Sequence, residues 1–483
     1  MTGAGATAIE TDLPTRLDRL PWFGFHWLVV LALGITWVLD GLEVTMVSAV
    51  ASVLERPTTL GLTSTQIGGA ATAYLTGAIA GSLLFGHLTD HFGRKRLFLV
   101  TLGLYVIATV LTAASWDFYS FACFRLLTGA AIGGEYAAIN SAIDELLPAR
   151  VRGFVDLAIN GSYWLGTALG AVLTVVLLDP QIVPESLGWR LAFGAGAVLT
   201  VAVALVRHYV PESPRWLILH GRESEARLVV EGIEERARAA CGELAPVEHW
   251  ITLWPGQKVG YAQALRVIFG RYRERAVLGL TLMVAQAFFY NAIFFTYALI
   301  LTRFFGVEAE HVGYSLIVFA LANFTGPLLL GRMFDTVGRR PLIVTTYAAS
   351  GILLLLTGWL FKAGLLNATT QTVAWAVVFF FGSAAASSAY LTVSELFPLE
   401  IRARAIALFY SIGTAMGGLA APALFGFLID RGSRSEVFLG YGLGAGLMLT
   451  AALVAFKLAV AAEQRSLEQI AAPLAAHERV DAS

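Results

Sequence analysis

Residues 86–95 read Gly86-His87-Leu88-Thr89-Asp90-His91-Phe92-Gly93-Arg94-Lys95, and 245 residues later the chain repeats the phrase as Gly331-Arg332-Met333-Phe334-Asp335-Thr336-Val337-Gly338-Arg339-Arg340. A second pair follows at an offset of 250: Glu145-Leu146-Leu147-Pro148-Ala149-Arg150-Val151-Arg152-Gly153 and Glu395-Leu396-Phe397-Pro398-Leu399-Glu400-Ile401-Arg402-Ala403. A third, Leu165-Gly166-Thr167-Ala168-Leu169-Gly170 against Ile412-Gly413-Thr414-Ala415-Met416-Gly417, lies at an offset of 247. Three matched phrases at nearly one offset identify two related halves.

What lies between the phrases is apolar. Of 483 residues 57% are hydrophobic and 14% charged, with 33 basic and 34 acidic residues, and the mean hydropathy is +0.70. A soluble protein carries about 25% charge. The composition excludes a disordered chain, a disulfide scaffold and an ordinary soluble enzyme. A bilayer core about 30 Å thick needs about 20 apolar residues per helix. Twelve stretches qualify, at 25–52, 67–88, 97–115, 119–141, 154–178, 189–209, 275–302, 311–333, 341–361, 370–392, 403–428 and 437–460. Runs this long exclude barrel strands.

The expected fold is an all-α polytopic membrane protein, twelve transmembrane helices in two pseudo-symmetric six-helix bundles. Its parts are a cytoplasmic N-terminal segment (1–24), a first bundle (25–209), cytoplasmic linker helices (210–274), a second bundle (275–460) and a cytoplasmic tail (461–483) that is flexible beyond Pro473. Lysine and arginine set the orientation. With both termini inside, only Arg56, Arg190, Arg303, Lys362, Arg431 and Arg434 fall in outer loops, and Arg125 lies within a span. Residues 1–21 hold no apolar signal-peptide core. Cys123 and Cys241 are far apart and predict neither a disulfide nor a metal site. A net charge of -1 argues against nucleic acid as a partner.

Residues of the duplicated loops, Gly86, Asp90, Gly93, Arg94, Glu145, Arg152 and their copies Gly331, Asp335, Gly338, Arg339, Glu395, Arg402, form the expected gate. The glycines permit close helix approach. Each Asp can accept bonds from Arg or from a neighbouring helix N-terminus. Glu145 is expected to pair with Arg94 and Arg152, and Glu395 with Arg339 and Arg402, in networks that lock one face and break when it opens.

These motifs resemble the major facilitator superfamily over essentially the whole chain. Pro211-Glu212-Ser213-Pro214-Arg215-Trp216-Leu217 resembles the sugar-porter signature after the sixth span. Gly133-Gly134-Glu135-Tyr136 also resembles organic-acid and osmolyte–proton symporters. The resemblance implies a secondary transporter working by alternating access around a midplane cavity.

Charge inside hydrocarbon is costly and marks function. Asp40 and Glu43 share one face of the first span, and Arg125 and Glu135 lie in the fourth. By helical rise, Glu43 and Arg125 sit near one depth and are expected to pair. Gly41-Leu42-Glu43 and Arg125 match the proton-linked acid and Arg of proton-coupled sugar porters. That resemblance implies that Glu43 takes the proton, that Arg125 tunes it and that Asp40 assists. Glu135 is either a second proton site or a packing acid.

Candidate solute contacts are Asn160, Tyr163, Trp164, Thr167, Gln286, Tyr290, Asn291, Tyr297, Asn323 and Tyr390. Gln286 and Asn291 match the sugar porters' seventh-span motif. The chain departs from that pattern at Ala285, Asn160, Thr167, Tyr390 and Gly413. So few bidentate polar groups argue against a hexose and make a smaller, more aromatic or carboxylated solute at least as well supported, with Arg125 available to an anion. The expected function is proton-coupled symport of a small polar organic solute, a carboxylate, aromatic acid or sugar. The protein would work as a monomer in the plasma (inner) membrane, its partners being solute and bilayer, with no cofactor beyond the coupling proton. Two alternatives stay open: a proton antiporter exporting an organic ion or drug, and a non-transporting solute sensor. No phosphate-binding loop, nucleophile elbow or metal cluster supports an enzyme.

Overall fold

The computed structural model describes residues 9–247, 250–254, 259–294, 296–308 and 312–474. The distal ends of the N-terminal segment (1–8) and of the tail (475–483), including nearly all of the stretch expected to be flexible, lie outside the described residues. The first bundle holds span one (Gly24–Leu54), span two (Ser64–Phe92), span three (Arg94–Ala113), span four (Phe118–Leu146), span five (Arg152–Leu177) and span six (Glu185–His208). The second holds span seven (Arg273–Phe294, continued by Tyr297–Phe305), span eight (Val312–Thr336), span nine (Arg339–Lys362), span ten (Ala368–Leu396), span eleven (Arg402–Asp430) and span twelve (Arg434–Leu458).

Eleven of the twelve are long and apolar enough to cross a membrane by length and composition. Span four is 29 residues long, but Arg125 and Glu135 dilute its hydropathy. Exposed apolar side chains such as Leu31, Ile107, Val198, Leu329 and Leu439 cover the flanks of both bundles. Exposed Trp27 and Tyr209 toward one end, and Trp116 and Tyr119 toward the other, suit the two bilayer interfaces. The protein is an integral multi-pass membrane protein.

Each bundle has its own core, with Phe98, Leu102, Ile139 and Ile143 in the first and Phe289, Tyr347, Phe379 and Tyr441 in the second. Within hydrocarbon, helices gain by close backbone approach rather than by burying apolar surface. Spans one and five use this: a Cβ on Gly41 would fall 1.9 Å from the Tyr163 carbonyl oxygen, and one on Gly166 1.8 Å from that of Val38. Helical regularity is interrupted at the turn residue Thr296 in span seven and by a π-helical stretch at Thr414–Leu419 in span eleven. Both interruptions border the cavity described below, where irregular backbone is tolerated.

The N-terminal segment, linker and tail gather at one end, here called the linker face. Linker helices Pro214–Leu219 and Glu223–Cys241 were expected. A two-stranded antiparallel sheet was not: Ile9–Thr11 pairs with Ile251–Leu253, Ile9 opposite Leu253. The N-terminal segment is thus tied to the linker. Arg16 and Arg19 donate to Glu234 at 2.8 and 2.5 Å. Burial works against the Glu234 carboxylate, but these two guanidinium groups outweigh it and hold its pKa at about 2. Asp18 accepts from Arg215 at 3.1 Å, and its pKa is still pushed up because burial outweighs Arg215 and Arg152.

Candidate functional site

A cavity of about 610 Å³ lies between the bundles. Along span one it is lined by Trp37, Val44, Val47, Ser48, Ala51 and Leu54, so it runs from mid-span to the end away from the linker face. That stretch is about 25 Å of helix. The cavity is therefore open opposite the linker face. At its inner end Trp37, Tyr136, Tyr390 and Tyr410 pack together, with ring centroids 4.8 Å apart for Trp37–Tyr136, 5.6 Å for Trp37–Tyr390 and 4.6 Å for Tyr136–Tyr410. Trp164 and Tyr290, 5.8 Å apart and tilted by 31°, form a second aromatic wall.

Arg125 is the one charged side chain among the described lining residues. Its Nη1 donates to Glu43 Oε1, and its guanidinium lies 4.4 Å over the Tyr74 ring and 5.9 Å from that of Phe193. Glu43 is buried behind it, with Oε2 lacking a hydrogen-bond partner among the described residues. Asp40 is buried one turn below, beside Tyr136, and its Oδ2 is likewise unpartnered. Glu135 is buried off the cavity with Oε1 unpartnered. Four intramembrane charges thus divide into one that faces the solute space and three acids behind the wall.

Of the candidate solute contacts, Asn160, Tyr163, Trp164, Gln286, Tyr290, Asn291 and Tyr390 line the cavity; Thr167, Tyr297 and Asn323 do not. Thr167 is fully buried in the tight contact of spans one and five, where its backbone nitrogen sits 3.0 Å from a Cβ placed on Gly41. Tyr297 follows the break in span seven and stacks on Phe319 at 6.3 Å and 13°. Asn323 supports the site from behind: it accepts the Tyr290 hydroxyl at 2.7 Å and donates to the Phe319 carbonyl at 2.8 Å. Sequence reasoning missed Trp37, Tyr74, Tyr136, Tyr410, Ser383, Ser387 and Thr414. Two signals point to some of them. Trp37 is one turn before Asp40 on the acid-bearing face of span one. Tyr410 is the repeat counterpart of Asn160 at the 250 offset.

On the linker face the duplicated loops interlock with pseudo-twofold symmetry. Asp90 accepts from the Ala403 and Arg404 amides at 3.2 and 3.1 Å and from Arg404 Nε at 2.9 Å. Asp335 accepts from the Gly153 and Phe154 amides at 3.0 and 2.7 Å. Each aspartate thus caps the first turn of a helix in the opposite bundle, where a carboxylate is favoured. Gly86 faces Ala407, and Gly331 faces Phe154. Gly93 (φ +99°) and Gly338 (φ +121°) turn the chain beside two carboxylates, Glu212 and Glu463. Glu212 accepts from the Arg94 amide at 2.9 Å, and Glu463 from that of Arg339 at 3.2 Å.

The expected ion networks need one correction. Arg94 pairs with Glu145 at 2.9 Å and Arg339 with Glu395 at 3.0 Å, each inside its own bundle. Arg152 and Arg402 do not join the glutamate of their own half. Arg152 lies 3.6 Å from Glu395, and Arg402 3.7 Å from Glu145. The reason is geometric: each Arg begins a helix whose first turn is held by the other bundle's aspartate. The tail closes over this network. Glu468 accepts from Arg215 at 2.9 Å, and the Arg465 carbonyl accepts from Arg152 at 3.3 Å. At the opposite end Arg56–Glu185 and Arg303–Asp430 each stay within one bundle.

Two six-helix bundles locked at one end around a cavity open at the other define a membrane transporter of the alternating-access kind. The model of the family described as sugar (and other) transporter matches residues 29–473, and the chain belongs to that family. Its relatives include the niacin transporter NiaP of Acinetobacter baylyi, 25% identical over 461 residues that cover 95% of this chain and 99% of the relative. The D-xylose transporter of Levilactobacillus brevis is 26% identical over 460 residues, covering 92% and 95%. Among solved structures, the proton:xylose symporter XylE bound to 6-bromo-6-deoxy-D-glucose superimposes with a TM-score of 0.76 at 19% identity, covering 92% of this chain and 98% of that one.

Proposed function

We propose that this chain is a proton symporter for a small aromatic carboxylate, with its linker face and termini in the cytoplasm of a plasma (inner) membrane and the monomer as the working unit. The observation that carries this reading is the division of labour at Arg125. The guanidinium faces an aromatic-walled cavity, and its partner Glu43 lies behind it out of that cavity. A carboxylated ring stacked among Trp37, Trp164 and Tyr290 competes with Glu43 for the same guanidinium. The displaced Glu43, desolvated and without its counter-charge, takes a proton. Solute anion and proton then cross together, and no net charge is left in the occluded state. The naming of a relative as a niacin transporter accords with this solute class. A sugar is the second reading, favoured by the Asn160, Gln286 and Asn291 amides in the cavity and by the xylose transporters among the similar proteins.

The test is uptake into proteoliposomes with an imposed pH gradient, nicotinate and xylose supplied in parallel. Nicotinate accumulation in the wild type, lost in Glu43→Gln while nicotinate counterflow persists, is the expected result. Accumulation undiminished in Glu43→Gln removes Glu43 from coupling. Xylose accumulation without nicotinate selects the sugar reading. Counterflow of neither solute, with nicotinate binding retained, selects a sensor.

A further inference from the structure

Two buried acids belong neither to the cavity wall nor to the duplicated gate. Asp144 precedes Glu145 in span four, and Asp156 is one turn after Arg152 in span five; both are fully buried. The gate repeats at an offset of 250, so it shows what closure itself requires. At that offset Asp144 corresponds to Ser394 and Asp156 to Ile406. The second bundle closes its side without either acid. They are additions to a network already complete in each half.

Their surroundings do not satisfy two carboxylates. Both oxygens of Asp144 and Oδ1 of Asp156 have no hydrogen-bond partner among the described residues. Ser394 lies beside Asp144, but its hydroxyl donates to the Leu391 carbonyl at 2.9 Å. The Asn140 and Asn160 side-chain oxygens, one turn from each acid, are also buried and unpartnered. The charges that face the pair are Glu395 of span ten, Arg152 of span five, Arg339 of span nine and Arg402 of span eleven. Asp335 of span eight is occupied by Gly153, Phe154 and Arg339. With Arg94, which pairs with Glu145, four arginines serve Glu145, Glu395, Asp335, Asp144 and Asp156, so the cluster contains one carboxylate more than its cations neutralise. A buried carboxyl without a partner is strongly disfavoured as an anion.

We propose that Asp144 and Asp156 form a proton-binding site of the linker-face gate: together they hold a proton while the gate is closed and release it when the gate opens to water. The proton exchanges with the linker side. Toward the cavity the path is blocked by Asn160, whose amide donates to the Asp156 carbonyl at 2.8 Å and to Oδ2 at 3.2 Å, and an amide does not relay protons. The closed gate then binds one proton more than the open one. Its population falls as pH rises, by up to about tenfold per pH unit for a single proton. The site is separate from Glu43, and the inference does not depend on which solute is carried.

Hydrogen–deuterium exchange of the full-length protein in nanodiscs, corrected for intrinsic rates, tests this on peptides covering 150–158 and 400–408. In the wild type, protection should fall several-fold between pH 6 and 8, within the about tenfold per unit limit. Asp156→Asn, which mimics the protonated side chain, should stay protected at both pH values, and Glu43→Gln should respond as the wild type. Asp144→Asn is the second variant, expected to flatten the profile in the same way. Protection at pH 6 equal to the wild type shows that each variant is folded. An unchanged pH response in both Asp variants overturns the site. A response lost in Glu43→Gln but kept in the Asp variants reassigns it to the cavity acid. Because the readout is gate closure and not uptake, its failure is distinct from failure of the transport reading.

Discussion

Arg152 crosses the boundary between the bundles to reach Glu395 at 3.6 Å, while Glu395 keeps Arg339 of its own bundle at 3.0 Å. The crossing makes Arg152 part of the lock rather than of the fold of either half. Arg152→Gln should leave both bundles folded and weaken closure. Removing one partner of a buried pair costs about 3–5 kcal/mol, and here Arg339 remains to offset part of it. The expected outcome is a lowered Tm together with faster labelling of linker-face cysteines introduced at the interface. Exchanging the charges, Arg152→Glu with Glu395→Arg, should restore closure in part. A double-mutant cycle showing no coupling between positions 152 and 395 would remove the crossing from the mechanism.

Gly153 lies in the first turn of span five with no room for a side chain. A Cβ there would lie 2.2 Å from Arg339 Nη1 and 2.7 Å from Asp335 Oδ1. Gly153→Ala should therefore displace the cap that Asp335 forms on span five. Its copy in the second bundle is already an alanine, Ala403, which donates to Asp90 at 3.2 Å. The asymmetry sharpens the prediction: Ala403→Gly should cost about 0.5–1 kcal/mol of backbone entropy and about 0.8 kcal/mol for its buried methyl, whereas Gly153→Ala should reduce exchange of solute by an order of magnitude or more. Counterflow rates of the two variants at equal reconstitution levels decide it.

The repeats made the architecture legible, because a duplicated phrase at a constant offset is independent of any single helix assignment. Arg125 and Glu43 were legible because charge in hydrocarbon is rare and helical rise fixes depth. The crossed partners of Arg152 and Arg402 were not, since sequence spacing reports which residues share a loop and not which bundle faces them. Tyr136 and Tyr410 escaped notice for a related reason. An aromatic in a span has no periodic mark that distinguishes cavity from lipid, and both faces of such a helix are apolar. The sheet of Ile9–Thr11 with Ile251–Leu253 joins two short segments about 240 residues apart, each too brief to alternate visibly.

Glu234 offers a measurement outside the membrane. Its carboxyl, held at about 2 by Arg16 and Arg19 against the effect of burial, lies below the ordinary carboxylate range. The pair therefore contributes stability in full above that range and loses it as pH falls toward 2. Glu234→Gln removes the contribution at neutral pH. The N-terminal segment should then detach from the linker, and limited proteolysis at pH 7 should cleave near Arg16 and Arg19 in the variant but not in the wild type. Equal resistance of the two proteins would show that the strand pair alone holds the segment.

The Arg125 site makes its own prediction about charge against shape. Lysine keeps the charge but loses the planar fork that can hold Glu43 or a solute carboxylate and stack on Tyr74. Arg125→Lys should therefore weaken nicotinate binding by about tenfold, about 1.4 kcal/mol, since bidentate contact and ring stacking are lost together. Tyr74→Ala should lose the cation–π share alone, about 0.5–2 kcal/mol, and Tyr74→Phe should lose almost none because the ring face is kept. Trp37 and Trp164 line the cavity, so quenching of intrinsic fluorescence on titration with nicotinate reports binding directly. Arg125→Lys binding as tightly as wild type would mean that the guanidinium serves Glu43 only and that the solute is held by the aromatic walls.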